Sequence, residues 1–564
     1  MSGSARGRAA APLAALGLLV AVYAAANAVW LSQNGLRCVA APFHARHFAR
    51  AMELCKLVDG GATPGELYAT LHRDHMQPAP LRSAAACALL RASGRSVPFV
   101  SGLLGLAAFA AALAGLRLLS AELGDPPETT ATALALFAAY PAVYGLSRLY
   151  GAFDLEVAAA MPFAAWLLLK TRRFESRRWS LALGVFVAAA MLVKDTFAGY
   201  FGPPLLYAAY EALRPAGARR RRAANLALLA VVAAALISPY YAHETILLKE
   251  STELIREPRA WAHLVDNLDA YGLGLSWTLL SPVFTLLFAA SLYAAVRAKR
   301  DHGGDLLLWW VLVPWLIVSF MAHAKRPSYF VPILPAAALL SARWLRALAP
   351  RARATATAVC ATAAVAQFAL FSFGPVPSTA WMRLDAETVF HRGTALPFDA
   401  YHAAATALKA QDAAAGRRRE VLVLPSAEKY GLDHFPMFEW LLDLDLDARG
   451  PTPELFQGVF MRPDHPTVYE AVLVPMPEKL DARRYAAQLH AHLRAVARKQ
   501  GNARKLAQLE AWTAESFGAR LESFLSGYPQ RRSLGSDGVN ELWLASRAPA
   551  PVRPVKPGRP ARRS

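Results

Sequence analysis

The chain has 564 residues, of which 55% are hydrophobic, and it carries a formal net charge of +20. In its first two thirds the apolar residues form runs of roughly fifteen to twenty-five, about the length that spans the hydrocarbon of a bilayer, and the lysines and arginines cluster in the short loops between them. The composition therefore predicts a polytopic membrane protein, and it argues against a soluble domain and against nucleic-acid binding.

About eleven transmembrane helices are predicted from these runs. The first is expected to be an uncleaved signal anchor, because no small-residue cleavage site directly follows it. Two long polar loops, 32–96 and 242–270, interrupt the series, and loops of this length are often functional. The predicted spans are 9–31, 97–119, 130–146, 149–169, 179–193, 196–212, 223–241, 271–296, 306–321, 329–348 and 354–373.

The dense basic clusters predict the orientation of these spans. With a cytoplasmic amino terminus and this number of spans, every dense cluster falls on the cytoplasmic side, so the count and the orientation support one another. Usage rich in alanine and arginine suggests a bacterium, and the predicted location is its cytoplasmic membrane. The clusters are Arg172, Arg173, Arg177 and Arg178, then Arg214 and 219–222, then Arg297, Lys299 and Arg300, then Arg343, Arg346, Arg351 and Arg353.

The composition changes after Phe373. Residues 374–548 begin with a Pro-containing linker, 374–378. They then mix short β-like runs, 420–424, 471–474 and 541–544, with helical stretches, which predicts an extracytoplasmic α/β domain. Residues 549–564, rich in proline and arginine, are predicted to be a disordered tail. The expected fold is thus a mainly α, polytopic transmembrane domain, residues 1–373, followed by a smaller α/β domain.

Ionisable residues at the ends of several predicted spans gather at the outer mouth. Such residues are costly in a membrane unless they face a cavity or a partner, so their convergence predicts a polar site. Cations beside carboxylates suit an anionic ligand together with a reacting alcohol. These residues are Asp154 and Glu156 at the start of the fourth span, Lys194 and Asp195 at the end of the fifth, and Lys325 and Arg326 between the ninth and tenth.

Four segments between residues 77 and 335 carry a family resemblance: Gln77-Pro-Ala-Pro-Leu81, the stretch 148–162 with Asp154, Leu192-Val-Lys-Asp195, and Lys325-Arg-Pro-Ser-Tyr-Phe-Val-Pro-Ile-Leu-Pro335. Over roughly residues 9–348 the sequence resembles the GT-C superfamily of membrane glycosyltransferases. Within it, the closest likeness is to glycosyltransferase family 39, which includes protein O-mannosyltransferases and aminoarabinose transferases. The resemblance implies a GT-C fold and transfer of a sugar from a polyprenyl-phosphate donor to a lipid, glycan or protein acceptor at the outer face.

A departing phosphate requires nearby cations. Lys325, Arg326 and Lys194 would stabilise its developing charge through charge-assisted hydrogen bonds, and Tyr329 belongs to the same motif as the first two. These four residues are the predicted ligands of the donor phosphate. The alternative for Lys325 and Arg326 is a pair of interfacial anchors whose stems snorkel.

The general base is harder to assign, because relatives carry an acidic pair early in the first outer loop where this chain reads Pro42-Phe-His-Ala-Arg-His-Phe48. Asp154 matches a family carboxylate, Asp74 is the preferred substitute, and His44 or His47 offers an imidazole, a group that titrates near neutral pH. A structural ion pair of Asp154, with Arg148 or with Lys194, is the alternative to a catalytic role.

The four cysteines are too few for a disulfide scaffold. Cys38 and Cys55 share the first outer loop and are a candidate pair in an oxidising compartment, with free thiols as the open alternative. No spacing indicates a zinc site, and no cofactor is predicted, although assistance by a divalent cation is left open.

A non-catalytic binder of a lipid-linked sugar, or a transporter of the same fold, is the alternative function. The missing early acidic pair favours it. A transporter would more often show charged or broken helices near the membrane midplane, together with paired repeats. Because the polar groups gather at one mouth instead, the enzyme is the preferred prediction.

Overall fold

The structure is a computed structural model of the chain. It describes residues 5–35, 42–67, 80–94, 96–149, 153–241, 279–298, 302–321 and 327–373, together with five strands and a few isolated positions after residue 400. The chain divides into two compact units, one made of residues 1–39 and 50–393 and the other of residues 40–49 and 394–564.

The described part of the chain before residue 374 is helical, and proline marks where many helices begin. Proline occupies the first or second helical position in several of them, where its missing N–H would have no helical partner in any case. The helices are α1 Ala5–Asn34, α2 Pro42–Asp59, α3 Pro80–Ala92, α4 Val97–Glu122, α5 Pro127–Ala139, α6 Pro141–Leu146, α7 Phe153–Lys170, α8 Arg177–Val193, α9 Phe197–Leu213, α10 Arg219–Tyr241, α11 Ser281–Arg297, α12 His302–Met321, α13 Leu334–Ala347 and α14 Pro350–Phe373.

Among the described residues, six helical segments are long and apolar enough to cross a membrane, and α11 is a shorter apolar helix. The chain is therefore a multi-pass integral membrane protein, as its composition predicted, while the number of eleven spans stays a prediction. The six segments are Pro12–Gln33, Val97–Glu122, Arg219–Pro239, His302–Ser319, Ser328–Ala347 and Pro350–Phe373.

Two predicted spans are not continuous α-helices, and proline is the reason in both. The third is divided at Tyr140, whose backbone is extended because Pro141 disfavours the helical conformation of the residue before it. The tenth begins as a 3-10 helix, Pro327–Ile333, and becomes α-helical only in α13. Pro332 and Pro335 lack the N–H groups that would extend α13 backwards as a regular helix.

The first outer loop, predicted as an irregular polar segment, contains helices α2 and α3, and a disulfide joins them. Cys55 of α2 is bonded to Cys87 of α3. The predicted candidate pair, Cys38 with Cys55, is therefore wrong, since Cys55 has a different partner, and Cys38 lies outside the described residues. Both bonded cysteines are buried, which places the link inside the packing of the two helices.

Three glycines lie where neighbouring parts of the helical unit approach each other closely. A Cβ at Gly105 of α4 would overlap the carbonyl oxygen of Ser147, and one at Gly184 of α8 would lie 2.8 Å from the carbonyl oxygen of Leu229. Gly115, ten residues along α4, faces Phe163 of α7. Residues 105 and 115 of α4 face residues 147 and 163, respectively, so α4 and α7 run in the same direction. The start of α7 lies at the same end of the unit as the last residues of α8.

The opposite end of this unit holds the basic loops, tied down by ion pairs. Lys170 lies 2.6 Å from Glu122, Arg222 lies 2.5 Å from Glu175, and the Nε of Arg343 lies 2.8 Å from the Oδ1 of Asp125. In these helices the basic loops therefore lie at one end and the Asp154 and Lys194 side chains at the other, as the predicted spans require. The side of the membrane that each end faces stays a prediction.

The second unit contains a five-stranded mixed sheet in its described part. The strand order is β2-β1-β3-β5-β4, with β1 parallel to β2 and β3, and β5 antiparallel to β3 and β4. Three of the strands coincide with predicted β-like runs, whereas the α/β domain as a whole and its boundaries stay predictions. The strands are β1 Arg419–Val423, β2 Leu446–Arg449, β3 Ala471–Pro477, β4 Gln530–Ser536 and β5 Asn540–Ser546.

Candidate active site

An ion pair between Asp154 and Lys194 forms the centre of the candidate site. Asp154 lies in the first turn of α7, and Lys194 is the residue at which the backbone leaves α8 in an extended conformation. The Nζ of Lys194 donates a hydrogen bond to Oδ1 of Asp154, and both residues are 7% exposed. Each buried charge requires the other, because a lone ion in this environment would carry an uncompensated desolvation cost.

Tyr329 brings the 3-10 helix against this pair. The centre of its ring lies 5.7 Å from the Nζ of Lys194, within the range of a cation–π contact. Two side chains from other helices bind the 3-10 backbone: the Tyr200 hydroxyl donates to the carbonyl oxygen of Tyr329 at 2.6 Å, and the Trp310 indole donates to that of Pro332 at 3.0 Å. These bonds attach the 3-10 backbone to α9 and α12, which carry Tyr200 and Trp310.

A second ion pair lies two residues further along α7. Nη1 of Arg82, at the start of α3, is 3.1 Å from Oε2 of Glu156, and the Arg82 guanidinium lies 4.4 Å from the centre of the Phe153 ring. The two side chains are 5% and 16% exposed. This pair attaches helix α3 to the same turn of α7 that presents Asp154.

Asp195 is the one carboxylate of this group that is not in an ion pair with any described residue. Its Oδ1 accepts a hydrogen bond from the backbone N–H of Thr196 at 2.7 Å. The residue is half-buried, in contrast to Asp154 and Lys194. Asp195 therefore keeps an oxygen available beside the Lys194 ammonium.

Three of the predicted site residues are brought together by the structure, namely Asp154, Lys194 and Tyr329. Asp74, Lys325 and Arg326 lie outside the described residues. His44 lies on α2, but its side chain is likewise outside them.

Of the two partners predicted for Asp154, the structure selects Lys194. Arg148 instead donates from Nε to Oδ1 of Asn27 at 2.9 Å. Its guanidinium also lies within 6 Å of the rings of Trp30, Tyr144 and Phe368, at 5.7, 5.7 and 5.5 Å. Arg148 is thus engaged in the helix packing and is not available to the carboxylate six residues on.

Sequence reasoning missed the residues that support the site from a distance, Arg82, Tyr200 and Trp310. Arg82 directly follows the segment Gln77–Leu81 that carried part of the resemblance, and this adjacency was the available signal. Nothing in the local sequence marks Tyr200 or Trp310, because each acts on a backbone carbonyl that is distant along the chain.

Comparison with known proteins bears on the same region. Residues 82–243 match the sequence model of the family described as dolichyl-phosphate-mannose-protein mannosyltransferase. The matched segment contains Arg82, Asp154, Glu156, Lys194 and Asp195. None of the curated protein sequences matches the chain.

Solved structures support the fold over nearly the whole chain. The crystal structure of ArnT from Cupriavidus metallidurans bound to undecaprenyl phosphate is 15% identical, covers 93% of this chain and 97% of that one, and gives a TM-score of 0.52. Its apo state, also 15% identical, covers 94% and 98% with a TM-score of 0.50. Residues 82–243 are thus similar to the dolichyl-phosphate-mannose-protein mannosyltransferase family, and the chain as a whole shares the fold of ArnT, in agreement with the resemblance seen in the sequence.

Proposed function

We propose that this protein transfers a sugar from a polyprenyl-phosphate donor to an acceptor hydroxyl or amine at the outer face of a bacterial cytoplasmic membrane. The observation that carries the proposal is the convergence of Asp154, Lys194 and Tyr329 at one end of the helical unit. The family uses lipid-phosphate-linked sugars, and the similar ArnT structure holds undecaprenyl phosphate. A lipid, a glycan and a protein are the candidate acceptors.

Lys194 is assigned to the donor phosphate. An ammonium group has three donors, and the hydrogen bond to Asp154 occupies one of them. The others are available to phosphate oxygens, where a charge-assisted bond stabilises the negative charge that develops as the sugar leaves. Lys325 and Arg326, which precede Tyr329 by four and three residues, are proposed as further ligands of the same phosphate.

The two carboxylates beside Lys194 are assigned different roles. Asp154 holds the ammonium group in place and acts as a positioning residue. Asp195 is half-buried and has an oxygen that no described cation engages, so it is assigned as the general base that takes the acceptor's proton. Asp74 and His44 are the competing candidates for that role.

Transfer of a labelled sugar tests this proposal directly. Membranes or liposomes containing the full chain are incubated with polyprenyl-phosphate sugars and a panel of lipid, glycan and protein acceptors. Asp195→Asn is expected to lower the transfer rate by about 10²- to 10⁴-fold, the usual contribution of a general base, while donor binding is retained. Lys194→Met is expected to weaken donor binding as well as transfer.

Arg343→Gln is the matched control, because it removes a charge of comparable burial from the opposite end of the helices. It should leave transfer unchanged. Normal transfer by Asp195→Asn, combined with a large loss in Asp74→Asn or His44→Gln, would reassign the base to the outer loop.

The second candidate function is a non-catalytic binder or transporter of the lipid-linked sugar. The segment Pro42–Phe48, which lacks the acidic pair expected there, favours it. Donor binding by the wild-type chain without transfer to any acceptor on the panel would select this function over the enzyme.

A further inference from the structure

A cavity with both polar and apolar lining lies at the opposite end of α7, where the chain turns from α7 into α8. Thr171 directly follows the last residue of α7 and lies seventeen positions after Asp154. At a rise of 1.5 Å per residue, the cavity is about 25 Å from the candidate active site. The cavity has a volume of about 130 Å³. Its polar lining comes from Thr171, Arg172, Arg173 and His302, and its apolar floor includes Leu168 and Leu306.

The backbone of this turn is strained. Arg172, Arg173 and Phe174 all have positive φ angles, of 52°, 57° and 62°. In this left-handed region the Cβ of a non-glycine residue crowds its own backbone, so a single such residue is uncommon and three in succession are strongly disfavoured. Strain of this kind persists only where surrounding contacts impose it, and it concentrates at functional sites.

Side chains on neighbouring elements impose the strained conformation. The Thr171 hydroxyl donates to the carbonyl oxygen of Leu168 at 2.7 Å and accepts from the N–H of Phe174 at 3.1 Å. Asn225 of α10 donates to the carbonyl oxygen of Phe174 at 2.7 Å, and the Phe174 side chain is 1% exposed. The turn is therefore held from both sides, and it presents two successive arginines at the rim of the cavity.

Neither of these arginines forms an ion pair within the part of the chain that the structure describes. The nearest acidic residue in sequence, Glu175, is bound by Arg222 of α10 at 2.5 Å. Asp305, one turn beyond His302 on α12, accepts a hydrogen bond from Tyr207 at 3.1 Å, and the Tyr207 ring stacks on His302. The guanidinium groups of Arg172 and Arg173 are exposed and have no described carboxylate within ion-pair distance.

We propose that this cavity binds the phosphate group of an anionic membrane lipid. Two guanidinium groups match phosphate oxygens through paired hydrogen bonds, and His302 adds a further polar contact. The apolar floor suits the part of a lipid next to its headgroup, and basic pockets between transmembrane helices bind such headgroups. A soluble phosphate shares the same chemistry, so the test includes both sources. The proposal does not depend on the sugar-transfer reaction.

Native mass spectrometry of the full chain in mild detergent measures the binding. The wild type is titrated with phosphatidylglycerol, with phosphatidylcholine and, separately, with inorganic phosphate. We expect preferential retention of one phosphatidylglycerol and little effect of phosphate. Arg172→Gln with Arg173→Gln should weaken that retention by at least about tenfold, because each basic residue near an anionic lipid contributes appreciably to binding.

The matched control is Arg219→Gln with Arg220→Gln, an exposed basic pair at the start of α10 that removes the same charge from the same end. It should retain the lipid as the wild type does. An equal loss in both double variants would overturn the proposal, since the attraction would then come from general surface charge. Absence of binding of both lipid and phosphate to the wild type would overturn it too.

Two further measurements complete the test. Arg172→Lys with Arg173→Lys keeps the charge but loses the planar guanidinium groups that can bind two phosphate oxygens at once. This variant should bind phosphatidylglycerol with intermediate affinity, even if the glutamine variant folds poorly. Stabilisation of the wild type by inorganic phosphate alone, absent in the glutamine variant, would support the same site with a soluble anion as its ligand.

Discussion

The two ends of the helical unit handle charge in opposite ways. At the end with Asp154, cations and carboxylates are buried in closely matched pairs, whereas at the other end the pairs Lys170–Glu122 and Arg222–Glu175 are partly exposed and lie near arginines that form no ion pair with a described carboxylate. Partly exposed pairs contribute little to stability and suit a loop that marks membrane topology. Buried pairs are costly to form and give little net stability, so their presence indicates a requirement for charge at a defined place.

Breaking the central pair is expected to have the largest effect. Lys194→Met leaves the buried Asp154 carboxylate without its cation, which should lower the free energy of unfolding by about 3–5 kcal/mol and abolish transfer. Chemical denaturation in detergent measures the stability, and the labelled-sugar assay measures the transfer.

The double variant Lys194→Met with Asp154→Leu separates the two effects. Replacing both charges with apolar side chains should restore much of the stability, because no buried ion is left alone, but not the transfer. Recovery of transfer in the double variant would show that the pair has only a structural role.

The second buried pair is expected to give a smaller effect. Arg82→Gln removes a charge-assisted hydrogen bond from Glu156, whose side chain is 16% exposed and so remains partly hydrated. The expected loss is about 1.5–3 kcal/mol of unfolding free energy, with a reduced transfer rate because α3 loses its attachment to α7. If Arg343→Gln at the other end destabilises the protein more than Arg82→Gln does, the contrast between the two ends is incorrect.

Removing the hydroxyl that holds the 3-10 helix should cost less again. Tyr200→Phe leaves the Tyr329 carbonyl oxygen without that donor, at a cost of about 1 kcal/mol in unfolding free energy. Because Tyr329 contacts Lys194, we expect donor affinity to fall together with stability. Calorimetric titration with polyprenyl phosphate measures the affinity. An unchanged affinity would show that the 3-10 helix does not contribute to donor binding.

The smallest effect belongs to the exposed pair at the other end. The hydrogen bond from Arg222 holds the pKa of Glu175 below its usual range. The stabilisation of the folded state by this carboxylate should be fully present above the unfolded-state pKa of about 4.3, and it should be lost as the pH falls through the lower pKa of the folded state. Wild type and Glu175→Gln should thus differ slightly in unfolding temperature near neutral pH and converge in acid. A difference that grows on acidification would contradict the assignment.

The sequence predicted most of what depends on local pattern. The apolar runs and basic loops predicted which residues share an end of the helices. Span parity thus placed Asp154 and Lys194, forty residues apart, at the same end, with Lys194 as one of two predicted partners. The β-like runs likewise indicated β1, β3 and β5.

What the sequence did not predict depends on tertiary partners or on closely spaced prolines. Arg82 and Glu156 are seventy-four residues apart, and no periodicity relates them. The pairing of Cys55 with Cys87 depends on helix α3, which lies in a segment that the sequence indicates only as a polar loop. The 3-10 helix follows from the combined effect of prolines at 327, 332 and 335 on one apolar run.

The link between Cys55 and Cys87 makes one part of the candidate site conditional on redox state. It cross-links a segment of thirty-two residues, a constraint that in chain-entropy terms is worth about 3–4 kcal/mol. The same helix α3 carries Arg82, so reduction would loosen the element that supplies the partner of Glu156. Structural disulfides persist in oxidising compartments, so the Arg82–Glu156 pair is expected to be best supported where this disulfide is formed.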